Sequence, residues 1–299
     1  MFDRVVIAGV GLIGGSLGMD LRERRLARRV VGLVRREVTI REALAVGAVD
    51  EATLDPEALP RLSEGDLVVL ATPVLTMPPL VRRLAPALAS GALVTDAAST
   101  KAYLVRALPP LLPPGVEFIG GHPMAGSERG GVRHARRGLF HGARWVLTPD
   151  AQTSPEALAQ LEALARAVEA EPLRLDPELH DAVVARISHL PHVVAAALAT
   201  AAGPSAAGPD GDLPLDLLRR LAASGFRSTT RVADGPAPVW RDICLSNREA
   251  LLASLDRFEA ALAWLREAIT TGDGEALSRG LEAAREARAQ LVSDPGRQL

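Results

Sequence analysis

One histidine in this 299-residue chain stands in a setting suited to proton transfer. His122 lies in GGHPMAGSERGG, residues 120–131, where five of twelve residues are glycine. Such a stretch makes a poor helix or strand interior. It follows a strand-like run, EFIGG, so it reads as a strand end opening into a loop. An imidazole there can exchange a proton near neutral pH; the plainer reading is a loop histidine bonded to backbone. A second stretch, GVGLIG (9–14), has the G-x-G-x-x-G spacing that cradles a pyrophosphate. Gly9 permits a tight turn, Gly11 admits a close ligand, and Gly14 lets helix and strand approach. Leu12 and Ile13 lie at the helix N-terminus where the phosphate would sit. Without a ligand it would be a glycine turn only.

HDAVVARISHLPH (180–192) carries three more of the six histidines. As a helix it puts Ser188 and His192 on one face, with His189 turned about 100° away. A metal site from His122, His189 and His192 is a weaker reading, because the clustered acids of a divalent-metal hydrolase are absent. His134 and His141 fall in an arginine-rich loop and read as surface residues. GFRSTTRVADGPAPVWRDICLSN (225–247) supplies Arg231, a candidate for a substrate carboxylate or for an interdomain ion pair, and Trp240.

These residues need elements to hold them. Strand-like runs RVVIAGV (4–10), RVVGLV (29–34), DLVVLATP (66–73), ALVTDA (92–97), EFIGGHP (117–123), RWVLTP (144–149) and PLRLD (172–176) alternate with helical patterns. That alternation predicts an open α/β sheet of Rossmann type. Thr72, Pro73 and Ser99 then fall at carboxyl ends of parallel strands, where such sheets bind ligands. Asp96 is placed to orient its loop through backbone hydrogen bonds. Lys101 reads equally as a surface residue at a helix start. After about residue 176 strand character ends. The chain is expected to divide into a nucleotide-binding domain, 1–176, and an all-helical domain, 177–299, that binds substrate and dimerises by exchanging long apolar helices.

The end of the second strand reads VVGLVRRE. NAD sites place an acid there to hold the adenosine ribose; here Val34 takes that place and Arg35 and Arg36 follow. Two guanidinium groups suit a 2′-phosphate, so NADP is favoured over NAD. Solvent-facing arginines, or one stacked on adenine, are the other readings.

Composition bounds the remainder. Apolar residues make up 48%, and the net charge of −2 gives no reason to expect nucleic acid. The single cysteine, Cys244, excludes an internal disulfide. The N-terminus reads as a first strand and not a signal peptide, and the alanine-rich run at 193–208 is broken by Gly and Pro. A cytoplasmic enzyme without membrane attachment is expected.

Taken together, GVGLIGGSLG, ATPV, TDAASTK, FIGGHPMAGSERGG, HDAVVARISHLPH and GFRSTTRVA…VWRDI…N resemble the prephenate and arogenate dehydrogenase family of tyrosine biosynthesis. The resemblance runs from residue 4 to about 252. It implies oxidative decarboxylation of a cyclohexadiene diacid, with hydride passing to NAD(P). His122 corresponds to the catalytic histidine, which must be neutral, so activity should fall at low pH. Ser99 corresponds to a serine that bonds this histidine and the substrate hydroxyl, and Arg231 to the arginine that holds a carboxylate. Ser188 and His192 correspond to pocket-lining residues, His189 to a supporting one, and Glu128 to an acid at the pocket mouth. Trp240 is expected near the substrate tail from across a subunit boundary. The chain departs from the family at Ser228, where an acid is common, and at Val34.

Overall fold

The computed structural model describes residues 1–127, 129–203 and 213–292. Glu128, residues 204–212 and residues 293–299 lie outside them. The chain forms two compact units, 1–248 and 249–299.

In the first unit the short apolar runs build one eight-stranded sheet. Its strands are β1 (Phe2–Ala8), β2 (Ala27–Leu33), β3 (Glu51–Thr53), β4 (Asp66–Leu70), β5 (Leu93–Asp96), β6 (Glu117–Pro123), β7 (Arg144–Thr148) and β8 (Glu171–Arg174). They lie in the order β3-β2-β1-β4-β5-β6-β7-β8. β4 and the inner ends of β1 and β2 are buried, as expected of a sheet covered on both faces. The helices that cover it are α1 (Leu12–Glu23), α2 (Glu37–Ala45), α3 (Met77–Leu84), α4 (Ala102–Ala107) and α5 (Pro155–Ala167). Two apolar cores result, one on each face.

Three differences from the sequence pattern have local causes. A short strand, β3, pairs with β2 over residues whose alternation is too brief to register. The helical patterns after β4 and β5 give way to 3₁₀ turns at Ala85–Ala87 and Pro109–Leu111, because Pro86, Pro109 and Pro110 lack the N–H an α-helix needs. β7 runs antiparallel to β6: the described residues between them hold a 3₁₀ turn and no α-helix of the kind that usually makes a parallel crossover.

Past β8 the described residues hold no strand. Asp176 caps α6 (Pro177–Val184), accepting from the Leu179 N–H at 2.9 Å. A π turn, Ala185–His189, joins it to α7 (Leu190–Ala201). By length and composition the run 177–201 could cross a membrane. It instead buries His180, Asp181, His189 and His192 against protein. Then come α8 (Leu215–Leu221), α9 (Ser224–Thr230) and α10 (Ala237–Ser246).

The second unit is a helical hairpin formed by α11 (Arg248–Thr271) and α12 (Gly274–Val292). Asp273 caps α12, accepting from the Ala276 N–H at 2.8 Å. Gly280 lets the helices close: a Cβ there would fall 1.9 Å from the Trp264 ring. Leu252, Leu262, Ile269 and Leu281 are exposed.

Candidate active site

The sheet order reverses between β1 and β4, and the crevice above that reversal is where doubly wound sheets bind ligands. Gly9 follows β1 with φ +103°, and a Cβ on it would lie 2.5 Å from the Ala71 carbonyl oxygen beyond β4. Gly14 packs as tightly, with 2.2 Å between its hypothetical Cβ and the Gly9 oxygen. Gly11 differs, because a Cβ there would meet nothing within 4 Å. The glycine that must admit a ligand thus faces open space. α1 has no side-chain cap at its N-terminus and no acid in its first turn, so its first N–H groups are available to an anion. Thr72 Oγ1 is buried without a protein partner. The crevice fits a dinucleotide.

At the end of β2 a cavity of about 240 Å³ is lined by Val34, Arg35, Leu54, Thr72 and Arg83, among others. Arg35 and Arg36 are exposed, and Arg36 precedes α2. No acid lines this cavity; Asp55, nearby, pairs with Arg83 at 3.5 Å.

His122 lies near the end of β6, 8% exposed. Its partner is not backbone but another side chain: His122 Nδ1 is 2.9 Å from His180 Nε2. His180 Nδ1 is in turn 2.8 Å from Asp181 Oδ1. Asp181 also accepts the backbone N–H groups of Lys101, at 2.7 Å, and Ala102, at 3.0 Å. It thereby ties α6 to the start of α4. Burial holds the His122 pKa well below the usual imidazole range, with the neighbouring His180, Lys101 and His189 adding to the effect.

Beneath His122 lies a buried ion pair. Lys101 and Asp96 are both fully buried and joined side chain to side chain. Asp96 accepts from the Gly121 N–H at 3.0 Å and the Ala98 N–H at 2.9 Å, and Lys101 donates to the Gly121 carbonyl at 2.5 Å. The backbone residue before His122 is therefore clamped on both its polar groups. Burial raises the Asp96 pKa and lowers that of Lys101, while their mutual attraction pulls each back. The surface reading of Lys101 is corrected, because Asp96 supplies the counter-charge that makes burial tolerable.

The π turn alters which residues face inward. A straight helix would turn Ser188 toward the core with His192. The wider turn buries His189 and His192 and leaves Ser188 half-buried. The expectation that His189 turns away from the His192 face is therefore corrected. Asn247, after α10, donates to the Asp181 carbonyl at 2.8 Å and to His189 Nδ1 at 3.1 Å. The His189 ring lies against the Ser99 backbone, although its Nε2 makes no hydrogen bond of full geometry. Burial lowers the His189 pKa to about 4.

His192 stacks on Trp240, with ring centroids 3.4 Å apart and planes 8° from parallel. His189 meets the same indole edge-on at 6.1 Å. Trp240 reaches this position within its own chain: α10 carries it there while packing on the turn Val74–Thr76 after β4. Arg231 is exposed and opens a 3₁₀ turn, Arg231–Asp234, that packs against α7 beside His192. Ser99 is half-buried at the β5 end.

The structure thus gathers His122, the Ser99 loop, His189, His192 and Trp240 into one region. Glu128 lies outside the described residues. Sequence reasoning assigned no role to His180, Asp181 or Asn247. His180 and Asp181 are buried polar residues of α6, and Asn247 is a buried polar residue at the end of α10.

Two family models cover most of the chain. The prephenate dehydrogenase nucleotide-binding domain matches residues 17–172, and the prephenate dehydrogenase dimerization domain matches residues 176–283. Prephenate dehydrogenase of Bacillus subtilis is 34% identical over 292 residues, spanning 97% of this chain and 76% of that protein. The crystal structure of prephenate dehydrogenase from Aquifex aeolicus, in complex with hydroxyphenyl propionate and NAD+, superimposes with a TM-score of 0.86 at 32% identity. The match covers 97% of this chain and 99% of that one. Synechocystis arogenate dehydrogenase superimposes with a TM-score of 0.78 at 36% identity, over 97% and 100% of the respective chains. Matched along both halves by one family, and sharing a third of its residues with full-length relatives, this chain belongs to the prephenate dehydrogenase family.

Proposed function

We propose that the protein oxidises and decarboxylates prephenate to 4-hydroxyphenylpyruvate and CO2 with an NAD(P) cofactor. The observation that carries this reading is a buried His122 near the carboxyl end of β6, the end of the sheet at which the dinucleotide crevice opens. A bound nicotinamide supplies the hydride acceptor for C4 of the ring. Gly9, Gly11, Leu12, Ile13, Gly14, Thr72 and Pro73 hold the dinucleotide, with its pyrophosphate on the α1 N-terminus. Arg35 and Arg36 bind the 2′-phosphate, which makes NADP the preferred form. Support comes from an adenosine-end cavity with arginine and no acid in its wall.

The chain's own residues manage the hydroxyl proton and the diacid. His122 accepts a hydrogen bond from the C4 hydroxyl and draws its proton as hydride departs. Ser99 bonds the same hydroxyl. Arg231 holds one carboxylate by charge-assisted hydrogen bonds. Ser188, His189, His192 and Trp240 form the wall around the remainder. Loss of the ring carboxylate as CO2 leaves an aromatic ring, which drives the reaction forward.

The nucleotide-binding part is taken as 1–176 and the helical part as 177–299. The exposed leucines of α11 and α12 suit a homodimer interface, and the setting is cytoplasmic. A second reading is arogenate oxidation to tyrosine, favoured by the likeness to an arogenate dehydrogenase. The test is kcat/KM for prephenate and for arogenate, each with NAD and NADP, followed at 340 nm. Absence of cofactor reduction with both substrates would overturn the reading.

A further inference from the structure

We infer that His180 and Asp181 are positioning residues that fix the tautomer of His122. The inference rests on the assignment of His122 as the proton acceptor. The argument follows from which atoms can donate. An ionised carboxylate only accepts hydrogen bonds. Asp181 Oδ1 lies 2.8 Å from His180 Nδ1, so that nitrogen carries the hydrogen. In a neutral ring His180 Nε2 is then bare and must accept. Its neighbour at 2.9 Å is His122 Nδ1, which therefore donates. His122 Nε2 is left with a free lone pair, the form that can take a proton from a hydroxyl.

Asp181 is itself held in place. The Lys101 and Ala102 N–H groups bond its two carboxylate oxygens, and Asn247 grips its backbone carbonyl. The ring planes of His122 and His180 cross at 78°, with centroids 5.1 Å apart. That edge-on contact suits an N–H aimed in the plane of the accepting ring. The ionisable groups facing His122 are His180 from α6, Lys101 from the start of α4 and His189 from the π turn. All three are bases, so among the described residues no carboxylate acts on His122 directly. Asp181 acts on it only through His180.

Nitrogen-15 spectra of histidine-labelled protein, with kinetics alongside, test this. In the unaltered protein at pH 8 the His122 signals should show a protonated Nδ1 and a bare Nε2. Asp181→Asn puts an amide against His180 and permits the reversed chain, with the hydrogen on His122 Nε2. Its kcat should fall by up to about ten-thousandfold, as for the tautomer-holding carboxylate of a serine protease triad, while KM changes less than about threefold. His180→Leu removes the acceptor. It should lose at least about a hundredfold in kcat, within the span of general-base catalysis. His180→Gln restores an acceptor oxygen and should recover about tenfold of that loss.

Asp181 also caps a helix start, so Asp181→Asn can unfold the region. The two His180 variants leave that cap intact and decide the matter alone if it does. An unchanged His122 tautomer in His180→Leu, or equal rates for His180→Leu and His180→Gln, would overturn the inference. If the unaltered enzyme oxidises neither substrate, the functional reading fails separately. The spectra still report the tautomer in that case.

Discussion

His192 and Trp240 lie face to face, ring centroids 3.4 Å apart and planes within 8° of parallel. Gly235 lets them do so: a Cβ on it would fall 2.3 Å from the indole Nε1 and 3.2 Å from His192 Cε1. Gly235→Ala must push the indole off the imidazole. Since both rings sit at the side-chain end of the proposed pocket, KM for substrate should rise about tenfold while kcat holds within about threefold. That corresponds to roughly 1.4 kcal/mol, the size of an aromatic pair's interaction. Steady-state kinetics at saturating cofactor read it out.

Replacing His122 by Asn should cut kcat by about a hundredfold or more, leaving dinucleotide affinity unchanged. Cofactor affinity by fluorescence titration and turnover at 340 nm separate the two effects. A kcat within threefold of the unaltered enzyme would remove His122 from the chemistry.

The low pKa of His122 gives a pH dependence of known sign. The ring is active when neutral, and burial keeps it neutral to lower pH than the ordinary value of 6.5. The acid limb of the kcat profile should therefore lie below about pH 6.5. His189 adds a stability effect. It binds its proton near pH 4 in the folded protein but near 6.5 when unfolded. The unfolded chain takes up more protons between those values. Its contribution is full above pH 6.5 and lost as pH falls toward 4. Urea titrations across that window should show the decline, and His189→Asn should flatten it.

Lys101→Met leaves the buried Asp96 carboxylate without its counter-charge. The cost should be about 3–5 kcal/mol, as for breaking other buried ion pairs. Pairing it with Asp96→Asn should recover part of the loss. Denaturant midpoints of the two single variants and the double variant measure the coupling.

Removing both arginines after β2, Arg35→Ala with Arg36→Ala, should raise KM for NADP about tenfold to a hundredfold. KM for NAD should change little. A charge-assisted hydrogen bond of about 1.5–3 kcal/mol sets that range. Equal effects on both cofactors would place the 2′-phosphate elsewhere.

Most of the sheet was legible because the strands from β1 to β7 other than β3 are short apolar runs, several rich in β-branched residues, and the order of those runs implies the crevice. The dinucleotide cradle could be read for the same reason, since spacing alone forces its geometry. β3 was too short to register, and the antiparallel turn of β7 depends on what the loop before it lacks. The interior polar network was harder to read. Lys101 is the only lysine among 34 basic residues, and nothing nearby in sequence reveals that Asp96 waits for it in the core. His180 and Asp181 face inward from an ordinary helix start. Their partners lie about 60 and 80 residues away in sequence, beyond the reach of any local pattern. The π turn escaped detection because its residues fit an α-helix equally well.

That turn divides a long helical run into two segments with separate rotational phase. His180 and Asp181 precede it and serve His122; His189 and His192 follow it and face Trp240. Deleting one residue within 185–188 would take up the wide turn and restore regular α-helix, with the segments on either side kept near their present phase. His180 would keep its place against His122. The wide turn thus accommodates one extra residue between the proton-accepting end of the pocket and its tail end without breaking the helical run that carries both.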